Sequence, residues 1–282
     1  MVIAERIGTT GATVLAGKGR TVEISQQAPT AIIGERCNAL GYRSVMRAVR
    51  TGRFSVLAER ARAQEVAGAA LVNCNVVGSD IDEPQALAAA VKAMSAAVQI
   101  PLSLDVATPE ALLAALPHCP GRPLVNSING TEQRLQAFVP ILQQYRLPAV
   151  VMLAEDDGGT PAEPEARFRL AEQLADRLAH AGIALHDLIF DPVILAAALD
   201  PGATMATLET ARLIRDRLGA NVLLTDPTIP SLRRAVLAAD ALTGRDEYGQ
   251  QYLQAFRAGM LSDPPAEVSL VPATPGIPEV AP

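Results

Sequence analysis

Residues 101–130, PLSLDVATPEALLAALPHCPGRPLVNSING, decide the fold. The first apolar run, 102–106, carries a lone acid, Asp105, just ahead of Ala107-Thr108-Pro109-Glu110. A threonine cap followed by proline at the first helical position predicts a helix over about 110–116, ended by Pro117. A second apolar run, 123–128, contains Asn126-Ser127 and leads into an Asn129-Gly130 turn. Strand, helix and strand in that order make the two strands parallel neighbours, so Asp105 and Asn126 are expected at adjacent strand ends on one side of a sheet. Asp105 as a simple helix cap is the alternative, but Thr108 already fills that role. One acceptor and one amide side by side suit a flat heterocycle.

The same alternation extends in both directions. Residues 12–15 and 21–24 read as a short hairpin joined by Ala16-Gly17-Lys18-Gly19, within an extension over 1–29 placed to plug one end of a barrel. Further strands are expected at 30–33, 71–77, 149–154, 188–190 and 221–225. The stretch after Asn38 reads as a compact polar loop. Helices are expected at 54–68, with Phe54, Leu57, Ala58, Ala61 and Val66 on the apolar side, and at 83–98, 132–145 and 165–180. Another is expected at 205–218, with Leu208, Ala211, Ile214 and Leu218 inward. Two more, 231–243 and 247–258, close a barrel over 30–261, and a Pro-rich tail occupies 262–282. About seven alternating βα units imply a parallel sheet covered on both faces. A (β/α)₈-type barrel suits that number and length better than an open doubly wound sheet, and no strand ends in the GxGxxG fingerprint of dinucleotide-binding sheets.

Composition narrows the function. The 282 residues are 49% hydrophobic and 19% charged, as in an ordinary globular chain. A net charge of -6 with 3% aromatic residues argues against nucleic-acid binding. Cys37, Cys74 and Cys119 form no CxxC pair, which predicts a reduced, cytoplasmic protein. No apolar run approaches the roughly 18 residues needed to cross a bilayer, so no membrane association is expected.

Barrel enzymes carry their chemistry at the C-terminal strand ends. The polar residues expected there are Glu35, Arg36, Asn38, Asn73, Asn75, Asp105, Asn126, Ser127, Asp156, Asp157, Asp191, Thr225 and Asp226. The three histidines, His118, His180 and His186, fall on the opposite side as surface residues, so neither a Ser-His-acid arrangement nor a zinc site is expected. Without tryptophan for a sugar platform, hydrogen bonding to a neutral polar ring is the better use of these carboxylates and amides.

The order Ile32-Ile33-Gly34-Glu35-Arg36-Cys37-Asn38, Asn73-Cys74-Asn75-Val76, Pro101-Leu102-Ser103-Leu104-Asp105, Leu124-Val125-Asn126-Ser127 and Asp191-Pro192 resembles pterin-binding barrel proteins. More closely, it resembles the methyltetrahydrofolate:corrinoid-protein methyltransferases, relatives of the folate module of cobalamin-dependent methionine synthase. The resemblance runs over about 12–258 and includes the closing Ala241-Leu242-Thr243-Gly244-Arg245-Asp246-Glu247-Tyr248. It implies that Asp105, Asn126 and Asp191 hold the pterin ring, with Glu35, Asn75 and Ser127 alongside. Methyltetrahydrofolate or tetrahydrofolate is the implied substrate, cobalamin is carried by a partner corrinoid protein, and the chain forms a homodimer.

Two departures stand out. An Asn occupies position 73, where the family has an acid. Leu223-Leu224-Thr225 runs directly into Asp226-Pro227-Thr228, where the family inserts an Asn-bearing loop facing N5 of the folate, a helix and an eighth strand. The barrel is therefore expected to lack one βα unit near the C-terminus, leaving Thr225 and Asp226 as the local substitutes for the N5 contact. The alternatives are a pterin-binding protein of reduced or no activity, and dihydropteroate synthase, which carries a Ser-x-Arg motif on its last strand; the last strand expected here, 221–225, has none.

Overall fold

The computed structural model describes residues 11–154, 159–193 and 201–224. An antiparallel hairpin of β1 (Thr13–Ala16) and β2 (Thr21–Ile24) precedes a seven-stranded, all-parallel sheet. That sheet runs in chain order through β3 (Ile33–Gly34), β4 (Leu71–Asn75), β5 (Leu102–Asp105), β6 (Leu124–Asn129), β7 (Ala149–Met152), β8 (Leu188–Asp191) and β9 (Asn221–Val222). Between successive strands lie α1 (Arg43–Arg50) with α2 (Ser55–Val66), then α3 (Glu83–Ala97), α4 (Pro109–Ala115), α5 (Glu132–Tyr145), α6 (Pro164–His180) and α7 (Pro201–Leu213). This is the expected barrel-type α/β fold, with seven strands rather than eight among the described residues.

Strand alternation divides the core in two. Val72, Cys74, Leu102, Leu104, Val125, Ala149, Val151, Leu188 and Phe190 pack outward beneath the helices. Leu71, Leu124, Val150 and Ile189 point inward, together with Leu15 of the hairpin, and form a separate apolar floor. Further along the same inward-facing rows come the polar residues Asn73 and Asn75 of β4, Ser103 and Asp105 of β5, Asn126 of β6 and Asp191 of β8. On this face β4, β6 and β8 are thus apolar at their start and polar at their end, so the floor supports a polar cluster at the C-terminal ends.

The hairpin packs against the other end of the sheet. Leu15 is fully buried in the floor. Ala16 exchanges backbone hydrogen bonds with Arg122 just before β6, at 3.0 and 2.8 Å. The Arg122 guanidinium donates to Val14 O at 2.7 Å and pairs with Asp187 Oδ2 at 2.7 Å. Asn221 Nδ2, at the start of β9, donates to Thr13 Oγ1 and Ile24 O, both at 3.0 Å. Close approach requires glycine here: a Cβ on Gly121, at φ +87°, would lie 2.3 Å from Ala16 O.

Several local expectations are corrected. The stretch after Asn38 is not only loop, because Arg43–Arg50 forms α1 with Val45, Ala48 and Val49 buried, an i, i+3, i+4 pattern diluted by arginines. Val66 is 74% exposed, and the buried side of α2 runs through Leu57, Ala61 and Gln64. The helix of 110–116 does not end at Pro117; α4 continues as a 3₁₀ turn over Leu116–His118. In α7 Leu208 is 46% exposed, and the buried positions are Thr207, Thr210, Leu213 and, just beyond, Ile214. The buried face is thus centred one residue earlier, with Ile214 buried as expected, and Thr207 there meets a buried arginine described below. The proposed helices at 231–243 and 247–258 and the tail lie outside the described residues. His118, His180 and His186 are exposed, and no helix among the described residues is long and apolar enough to cross a membrane.

Candidate active site

The register of the sheet aligns the site. Asn75 lies opposite Asp105, and Asp105 lies opposite Asn126, so three polar residues occupy one row across β4, β5 and β6. The register of β6 against β7 shifts between Val125 and Ile128, a bulge that takes in Asn126 and Ser127.

Asn73, on the same face of β4, joins the group. Its Nδ2 donates to Glu35 Oε2 at 3.2 Å and to Asp105 Oδ2 at 3.1 Å, while its Oδ1 accepts from Asn126 Nδ2 at 3.5 Å. The amide at the position where the resemblance expects an acid therefore bridges two carboxylates that a third carboxylate would repel.

Glu35 is positioned from two sides. Asn38 Nδ2 donates to its Oε2 at 3.4 Å, and Asn38 Oδ1 accepts from Leu40 N at 2.9 Å. From α2, Gln64 Oε1 accepts the N–H of Arg36 at 2.8 Å. That reach depends on Gly34, since a Cβ there would lie 2.5 Å from Gln64 Oε1. Ala39 N donates to Asn75 O at 3.0 Å, and Asn75 N donates to Cys37 O at 3.2 Å, which ties the loop to β4. Asn75 Oδ1 accepts from Val77 N at 3.0 Å.

Asp191 ends β8, with its Oδ1 accepting from Val193 N at 2.8 Å. Val193 has φ 59°, a left-handed conformation that costs a β-branched residue energy and persists only where its surroundings impose it. Arg167 of α6 supplies that constraint. Fully buried, it donates to Pro161 O at 2.5 Å and to Pro192 O and Thr207 Oγ1, both at 3.0 Å. Ser127 contributes its carbonyl, which accepts from Arg134 at 2.7 Å. Asp156, Asp157, Thr225 and Asp226 lie outside the described residues.

Burial dominates the electrostatics. It pushes the Glu35 carboxyl above the ordinary carboxylate range; Asn38 and Asn73 oppose the rise and the charge of Asp105 adds to it. Asp105 is likewise raised, first by burial. Hydrogen bonds from Asn75 and Asn73 oppose that rise, the charge of Glu83 reinforces it and that of Arg134 opposes it. The result is a partly desolvated chamber lined by carboxylate acceptors and amides, suited to the N–H donors and carbonyl acceptor of an aminopyrimidine edge. Among the described residues no three His, Cys, Asp or Glu side chains gather to hold a metal ion.

Sequence reasoning brought Glu35, Asn75, Asp105, Asn126 and Asp191 to the C-terminal ends of neighbouring strands, and the structure places them there. It missed the supports: Gln64 on α2, Glu83 on α3, Arg134 on α5 and Arg167 on α6. The only sequence signal for Arg134 is its place three residues after the Thr131 that caps α5.

The fold and this chamber define a class, and comparison with known proteins agrees: a family described as pterin binding enzyme matches residues 34–248, so the chain belongs to the pterin-binding enzymes. Within that class it is similar to the methylcorrinoid:tetrahydrofolate methyltransferase of Eubacterium limosum, 24% identical over 265 residues that cover 82% of this chain and 97% of that protein. Methionine synthase of Mycobacterium tuberculosis is 27% identical over 205 residues, covering 69% of this chain but only 17% of that much longer protein. Among solved structures, dihydropteroate synthase of Xanthomonas albilineans in complex with 7,8-dihydropteroate superposes with a TM-score of 0.54 at 21% identity, covering 87% of this chain and 99% of that one, a likeness of fold.

Proposed function

We propose that this protein transfers the N5 methyl group between methyltetrahydrofolate and the cobalt of a separate corrinoid protein. The observation that carries the reading is the row Asn75, Asp105 and Asn126 across three strands, tied by Asn73 to Glu35. It sets acceptors and an amide side by side in one row, which suits a pterin edge. The near-complete span of the Eubacterium limosum methylcorrinoid:tetrahydrofolate methyltransferase supports the choice of reaction.

In this reading Asp105 accepts from the N–H groups of the aminopyrimidine, Asn126 pairs with a neighbouring donor and acceptor, and Asp191, Glu35, Asn75 and Ser127 complete the ring site. The partner's cobalt supplies the methyl acceptor or donor. Folate N5 leaves only when its developing negative charge meets a proton or hydrogen bond, and the Thr225 hydroxyl or a protonated Asp226 is the proposed donor. The pterin-binding protein without efficient chemistry is the second reading, favoured by the direct run of Leu223-Leu224-Thr225 into Asp226-Pro227-Thr228. The reduced cytoplasm is the proposed location.

Stopped-flow loss of cob(I)alamin absorbance on mixing with methyltetrahydrofolate and the protein tests the proposal. Protein-dependent decay supports methyl transfer. Tetrahydrofolate binding with no decay supports the second reading, and no binding at all removes both.

A further inference from the structure

Acids from three elements act around the end of β5: Asp105 itself, Glu35 after β3, and Glu83 at the start of α3. Among the described residues, the other groups acting on Asp105 are the amides Asn73 and Asn75 of β4 and one cation, Arg134 of α5, with Asn126 of β6 opposite it in register.

Arg134 and Glu83 grip the same short segment from opposite sides. Glu83 is 8% exposed; its Oε1 accepts from Ala107 N at 2.6 Å and its Oε2 accepts from Thr108 Oγ1 at 2.8 Å. Arg134 Nη1 donates to Ala107 O at 2.5 Å, and Nη2 donates to Val106 O at 2.6 Å and Ser127 O at 2.7 Å. Ala107, two residues after Asp105, is thus held at its N–H by an acid and at its carbonyl by a cation, and Arg134 also ties it to the residue after Asn126. The guanidinium lies 3.9 Å over the Phe138 ring, and Thr131 Oγ1 accepts from Arg134 N at 3.3 Å, so its backbone and its side chain are both fixed.

We propose that Glu83 and Arg134 are opposed positioning residues: together they clamp the segment after Asp105, and by acting on its carboxylate with opposite charge they set the pH range over which the site accepts the pterin ring. The inference rests on the pterin reading given above. Its signs follow from the charges. The carboxylate is the form that accepts hydrogen bonds from the ring. Burial and Glu83 favour its protonation, while Arg134 resists it. Loss of Arg134 therefore moves the acid limb of binding to higher pH, and neutralising Glu83 moves it to lower pH. A clamp without electrostatic action would weaken binding equally at every pH.

The experiment is calorimetric titration of tetrahydrofolate into wild type, Arg134→Met, Arg134→Lys and Glu83→Gln between about pH 5 and pH 8. Protonation of the ligand is common to all four proteins and cancels in the comparison. For Arg134→Met the ratio of affinity at the high end to that at the low end should grow about three- to tenfold over wild type. For Glu83→Gln it should shrink, and Arg134→Lys should keep the wild-type profile at reduced affinity. Parallel profiles in all four overturn the inference. If Arg134→Met does not fold, the direction of the Glu83→Gln shift decides alone. Absence of binding by wild type at any pH is a different result, which removes the pterin reading itself.

Discussion

Asp105→Asn separates binding from stability, because the two should move in opposite directions. The substitution keeps shape and an oxygen that can accept from Asn73 Nδ2, now 3.1 Å from Asp105 Oδ2, but removes the charge. A hydrogen bond to a charged, half-buried group contributes about 1.5 to 3 kcal/mol, so tetrahydrofolate affinity should fall roughly ten- to a hundredfold. Without ligand the carboxylate is a liability. Its folded-state pKa is raised by burial, so above that pKa the charged group costs the folded state stability, and this cost disappears as pH falls and the group protonates in both states. The variant should therefore melt at an equal or higher temperature than wild type near neutrality, with the difference shrinking toward acid pH. Calorimetric titration and thermal melts across pH measure both effects on one preparation. Unchanged affinity refutes the pterin-site assignment. A clear loss of melting temperature at neutral pH refutes the account of Asp105 as a group held ionised against its surroundings.

Asn126→Ala should weaken the same ligand by a similar factor, checked in the same calorimeter. Asp226→Ala should slow methyl transfer by on the order of 10² to 10³ while leaving tetrahydrofolate affinity nearly intact; equal stopped-flow rates in variant and wild type would remove Asp226 from the chemistry. Leu15→Ala, which empties a fully buried position in the barrel floor, should cost about 2 to 5 kcal/mol and lower the urea midpoint; an unchanged midpoint would show that the hairpin is not part of the cooperative fold. A barrel short of one βα unit leaves two strand edges of the kind that proteins cover or pair away, so a homodimer is expected by light scattering at micromolar concentration, and a stable monomer would count against it.

Local chemistry in the chain determined much of this protein. Thr108 caps α4, its Oγ1 accepting from Ala111 N at 3.3 Å, because a hydroxyl ahead of proline satisfies a first-turn donor whatever surrounds it. Asp105 opposite Asn126 likewise follows from one strand-helix-strand unit, since a right-handed crossover leaves little choice of neighbour or direction. Tertiary structure alone decided the rest. Gln64, Glu83, Arg134 and Arg167 look like ordinary polar positions on amphipathic helices; each becomes a support only because packing brings its helix against a strand end, and no local periodicity records that. In α7 likewise, a local count chose Leu208, whereas packing buries Thr207, which accepts from the buried guanidinium of Arg167. Side-chain periodicity reports which face of an element is apolar, whereas a hydrogen bond between residues 24 to 40 positions apart exists only once the sheet has curled.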